Sequence, residues 1–162
     1  MTATAYKERD LSFPGKCGSG SHNLELNNIL NRSYIHVTHE SEKRRFEKAN
    51  LFGFRACNGK GYRFDSNLEC EILEAEGLVI YGHKAYVLQG RVDRPVTYLY
   101  FSLTLDGDMF PLTIDNLKQA TPGNDKFHAL LEENFGAGQK LGEFDTFHKM
   151  FKVDRLWDNS RS

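Results

Sequence analysis

From Val96 to Leu105 the side chains alternate with a period of two: Leu99, Phe101, Leu103 and Leu105 on one side, Tyr98, Tyr100, Ser102 and Thr104 on the other. A helix would scatter these residues around its circumference, whereas a strand gathers them onto two faces. The run is therefore read as a long strand. Asp106-Gly107 follows it and predicts a hairpin returning through Met109-Phe110, and Pro111 confines that last strand to an edge or an end. The same turn chemistry occurs earlier, where Asn58-Gly59 separates Leu51–Cys57 from Gly61-Tyr62-Arg63-Phe64.

Further alternating segments fill the space between these turns. Leu24 and Leu26 alternate with Glu25 and Asn27; in the next segment Ile35 and Val37 face one way and Tyr34, His36 and Thr38 the other. Glu40 to Arg45 reads as a charged turn. Strands are expected near Glu69–Leu73, Leu78–Tyr81 and Ala85–Leu88, with Glu76-Gly77 turning between the first two. Helical punctuation begins only after residue 112. Thr113 is placed to cap Ile114–Ala120, which Pro122-Gly123 stops; Asn124 or Asp125 caps a second helix with Phe127, Leu130, Leu131 and Phe135 as its stripe, ending at Gly136. A third helix is predicted from about Glu143 to Asp154, with Phe144, Phe147, His148 and Phe151 on one face.

The expected fold class is α+β: a mostly antiparallel β meander, as a curled sheet or small barrel, with two or three short C-terminal helices. A parallel sheet would need helical crossovers between strands, and none is visible before residue 113. The 162 residues read as a single domain, with a polar arm or loop at 1–23, the meander at 24–112 and a helical tail at 113–156.

Charge and cysteine content narrow the function classes. With 21 Lys plus Arg against 22 Asp plus Glu, nothing pulls the chain toward nucleic acid, and no apolar run is long enough for a transmembrane helix. No apolar export segment follows Met1, which fits either a cytoplasmic protein or a chain that starts at its mature end. Of the three cysteines, Cys70 shares a strand face with Ile72 and reads as a small core hydrophobe. Cys17 and Cys57 sit in polar, Gly-rich surroundings compatible with a bridge; three free thiols are the alternative.

No group of residues forms a catalytic signature. His36 and His39 lie three apart on a strand and so face opposite ways, and His-x-x-His-Glu is not the zinc-protease spacing. On two packed helices His128 and His148 would offer a metal two imidazoles and a carboxylate from Asp145 or Glu132, short of a full zinc set. Asp106-Gly107-Asp108 and Asp65-Ser66-Asn67 read as turns, not calcium loops. Lys43-Arg44-Arg45 is flanked by Glu40, Glu42 and Glu47 and reads as a solvated turn. Tyr98 and Tyr100, with Tyr62, form a candidate aromatic strip for binding a protein or small molecule, unless they pack beneath the C-terminal helices. No metal or cofactor is expected.

Several phrases carry a resemblance: Tyr34-Ile35-His36-Val37, Phe52-Gly53-Phe54-Arg55, Tyr62-Arg63-Phe64, Tyr100-Phe101-Ser102, Pro111-Leu112-Thr113, Asp125-Lys126-Phe127-His128 and Phe147-His148-Lys149-Met150. Together they resemble an uncharacterised exported protein family of Bacteroidetes-type bacteria with no assigned function. The resemblance implies export to the periplasm or cell surface, and an oxidising envelope favours the Cys17–Cys57 bridge. It supplies no catalytic residues, and Cys70 departs from its pattern. The expectation is a non-catalytic binding or scaffolding module of the bacterial cell envelope. The alternatives are a small-ligand-binding β barrel and, behind it, a hydrolase with a His/carboxylate site.

Overall fold

The structure, a computed structural model, describes residues 3–8, 22–26, 32–89, 92–136 and 140–162. It divides into two compact units, 1–71 and 72–162. The fold is α+β, with antiparallel strand pairing throughout the pairs described.

The first unit opens with a short helix, α1 (Ala3–Lys7), within the segment read as an arm. Its Tyr6 ring lies 5.8 Å from that of Phe52 and sits over Gly61, where any Cβ would collide with the tyrosine ring. Strands β1 (His22–Glu25), β2 (Tyr34–His39) and β3 (Glu42–Glu47) form a three-stranded sheet in chain order. The charged turn expected at Glu40–Arg45 is thus confined to Glu40 and Ser41, both at positive φ. The charges beyond it belong to a strand because each finds a partner along the ladder: Lys43 with Glu25, Arg44 with Glu42, and Arg45 with Glu47. A 3-10 turn, Lys48–Asn50, leads to β4 (Gly53–Arg55), β5 (Gly61–Asp65) and β6 (Leu68–Glu74), the last crossing into the second unit. Gly59 alone takes the positive φ at the β4–β5 turn, and Asn58 Oδ1 accepts from the Lys60 N–H. Ile35, Phe64 and Cys70 are buried in this unit, along with Lys48, whose Nζ lies 3.2 Å from Glu69.

The second unit is built on the long hairpin of β7 (Val79–Gln89) and β8 (Val92–Ser102), in register from Val79↔Ser102 to Gln89↔Val92. β8 ends at Ser102, three residues earlier than the alternation suggested. The Ser102 hydroxyl donates to the Thr104 carbonyl at 2.6 Å, and the Gly107 N–H bonds to the same carbonyl. Asp106-Gly107 therefore lies inside a longer loop, and β9 (Phe110–Pro111) pairs only with Tyr100 and Phe101. Helices α2 (Ile114–Ala120) and α3 (Asp125–Phe135) carry the expected caps, Thr113 accepting from Asn116 N–H and Asn124 from Phe127 N–H.

The predicted helix at Glu143–Asp154 is corrected. A small hairpin, β10 (Phe144–Asp145) with β11 (Met150–Phe151), occupies most of that stretch, and α4 spans Lys152–Arg161. Asp145 causes the change: its Oδ1 accepts from both the Phe147 and His148 N–H groups, and Lys149 takes a positive φ. The core of this unit gathers Leu78 from the turn before β7 and Ile80 and Phe101 from the strands with Leu117, Phe127, Leu131, Phe135, Phe151, Val153 and Leu156. Burial of each such side chain is worth about 1.5–3 kcal/mol before entropy is charged against it.

Candidate binding surface

The register of β7 and β8 sorts their side chains onto two faces. One face runs Ile80, Gly82, Lys84, Tyr86, Leu88 against Phe101, Leu99, Thr97, Pro95, Asp93. Its inner end is core, with Ile80 and Phe101 fully buried. Gly82 marks a narrowing: a Cβ there would stand 3.0 Å from Leu73 and 3.3 Å from Thr97. Beyond it the same face is open. Tyr86 is 76% exposed and Leu88 68%, with Pro95 exposed directly opposite Tyr86. Lys84, Thr97 and Asp93 provide a polar rim around this apolar patch. Pro95 is tolerated because β9 pairs with β8 only at Tyr100 and Phe101, which leaves position 95 outside that ladder.

The opposite face carries Tyr81, His83, Ala85 and Val87 against Tyr100, Tyr98, Val96 and Arg94. Tyr98 and Tyr100 thus share a face, as expected, but differ in access: Tyr98 is 46% exposed, whereas Tyr100 is half-buried opposite Tyr81. The Tyr81 hydroxyl lies 2.9 Å from that of Ser102, a satisfied core network. Tyr62 belongs to the first unit, where its ring stacks on Phe54 at 4.8 Å. Tyr86 and Leu88 were missed in the sequence as candidates. The only signal was period-two alternation continuing through Lys84–Leu88 and past the proline to Val92, obscured by the charges of Arg91-Val92-Asp93-Arg94.

His128 and His148 do not form a shared centre. His128 Nε2 lies 2.9 Å from the Thr121 carbonyl at the end of α2. His148 sits in the β10–β11 turn with Nδ1 2.8 Å from Asp145 Oδ2, and Arg155 is 3.4 Å from the same oxygen. The His148 N–H and imidazole hold the Asp145 carboxyl below its ordinary value. This pair is oriented as a general base would be, but among the described residues no hydrogen bond joins it to a nucleophile. Its exposed neighbour is Phe147, 87% accessible. Among the described residues no group of three or more His, Cys, Asp or Glu could hold a metal ion. The thiol of Cys70 is fully buried, and burial pushes it up to about 12, the reverse of what a nucleophile needs. Cys17 lies outside the described residues.

No family model, curated protein or solved structure matches the chain. Among the described residues no helix is long and apolar enough to cross a membrane. The surface therefore has to be read from its own chemistry: an aromatic ring, a leucine and a proline exposed together on paired strands, bordered by one cation and one anion.

Proposed function

We propose that this protein is a non-catalytic binding module of the bacterial cell envelope that engages its partner through the outer half of the β7–β8 hairpin. The observation that carries the reading is the joint exposure of Tyr86 and Leu88 beside Pro95, an apolar patch with a polar rim. Tyrosine on a strand presents a large surface at small entropic cost, which suits a recognition residue. Tyr98 extends the contact area on the reverse face of the same hairpin. The envelope assignment rests on the resemblance carried by the short phrases above, and the Cys17–Cys57 bridge belongs to it.

The test uses wild-type protein and a Tyr86→Lys/Leu88→Lys double variant as immobilised baits for solubilised envelope proteins, after matching their thermal midpoints. A partner retained by the wild type and lost by the variant supports the reading. Equal retention by both, or none by either, overturns it.

A further inference from the structure

We propose that His22 and His39 form a two-histidine chelate for a divalent transition metal such as Zn²⁺ or Ni²⁺. The two residues are direct cross-strand partners in the β1–β2 ladder, and both come from the face that carries Leu24 and Val37. Their Nδ1 atoms lie 3.2 Å apart, with the rings edge-to-face at 5.4 Å and 89°. Two nitrogens bound to one tetrahedral zinc at about 2.0–2.1 Å are about 3.3–3.4 Å apart. The spacing is therefore already that of two neighbouring ligands on one ion.

A second observation concerns the other nitrogen of His39. Its Nε2 lies 4.0 Å from a carboxylate oxygen of Glu40, the residue that starts the β2–β3 turn. A metal-binding histidine commonly turns its distal N–H toward a carboxylate, which fixes the ring and raises its basicity. Glu40 stands on the Nε2 side of the ring and His22 on the Nδ1 side. His36 makes a useful contrast, because it lies on the opposite face and approaches Glu25 at 3.7 Å. Imidazole nitrogens select zinc, nickel and copper over magnesium and calcium, which prefer oxygen. Among the described residues these two histidines are the ligands, and solvent completes the coordination.

Binding replaces the present imidazole–imidazole contact. Each Nδ1 donates a lone pair to the metal, and the Nδ1 proton that bridges the two rings is relayed through solvent to the distal nitrogen of its own ring, so that both bind as neutral imidazoles.

The test is isothermal titration of the untagged, metal-free full chain with Zn²⁺, repeated with Mg²⁺. The expected result is one Zn²⁺ per chain and no Mg²⁺ binding. His22→Gln and His39→Gln should each weaken Zn²⁺ binding at least tenfold, while His36→Gln and His148→Gln leave it unchanged. Circular dichroism of the metal-free variants confirms that β1 and β2 persist. In case a variant unfolds, the wild-type His22 and His39 ring signals in NMR must shift on adding Zn²⁺. No binding at millimolar Zn²⁺, unchanged affinity in His22→Gln, loss only in His148→Gln, or unmoved His22 and His39 signals would each overturn the proposal.

Discussion

Asp154 shows how far one side chain shapes its surroundings. It sits in the first turn of α4, is fully buried, and accepts the Leu78 N–H through Oδ1 at 2.7 Å, while Oδ2 has no hydrogen-bond partner among the described residues. Burial pushes its carboxyl up to about 7; Asp158 and Glu74 add to the rise, and the Leu78 N–H and Arg161 oppose it. A carboxyl whose folded value lies above its unfolded one, about 3.9, makes the native state bind the proton more tightly. That contribution to stability is complete below about pH 4 and is lost as pH rises through about 7, at most about 4 kcal/mol. Asp154→Asn keeps an acceptor for Leu78 and does not titrate, so urea unfolding at pH 5 and pH 8 should differ less in the variant than in the wild type. An unchanged difference would assign the pH dependence to other groups. The neighbouring Gly77 has φ +86°, and a Cβ there would stand 2.5 Å from Asp154 Oδ1. Gly77→Ala should therefore cost about 2–3 kcal/mol in the same measurement, because backbone strain and a displaced hydrogen bond combine.

At the scale of elements, the β2–β3 hairpin turns through two residues that both lack the freedom to do so cheaply: Glu40 at φ 50° and Ser41 at φ 68°. Ser41→Gly relieves one left-handed residue and should raise stability by about 1 kcal/mol, seen as a higher midpoint in thermal unfolding. A lower midpoint would mean that the Ser41 side chain contributes more than the strain it imposes. This turn also shows what was legible in the sequence. The alternation of Tyr34–His39 and the cap residues Thr113 and Asn124 could be read locally, since each depends on neighbours within a few positions. The charged strand β3 could not, because its ion pairs, one across the sheet from Lys43 to Glu25 and two along the strand itself, leave no hydrophobic period behind. The aromatic spacing at Phe144, Phe147 and Phe151 imitated a helix. In a hairpin the same residues place Phe144 opposite Phe151, ring centroids 5.5 Å apart, and leave Phe147 at the tip. Of the candidate surface, Tyr98 was visible from its strand, whereas Tyr86 and Leu88 emerged only once the register carried β7 and β8 past Pro95.

At the scale of the whole molecule, the three cysteines link chemistry to compartment. Cys70 is fully buried and its thiol lies far above neutral, so it should not react with iodoacetamide in the native protein. In the envelope reading Cys17 and Cys57 form a disulfide, and an oxidising compartment preserves it. Three alkylation experiments on protein purified without reductant separate these statements by mass. Native protein should gain no label. Protein unfolded in guanidinium should gain one, at Cys70, and protein unfolded with reductant should gain three. A label on the native chain at Cys70 would contradict its burial. Three labels on the unfolded, unreduced chain would remove the bridge and, with it, the chemical reason for favouring an oxidising compartment. The hairpin surface at Tyr86 and Leu88 does not depend on that outcome, since it is set by strand register alone. The two halves of the proposal, where the protein works and what it works with, can therefore fail separately.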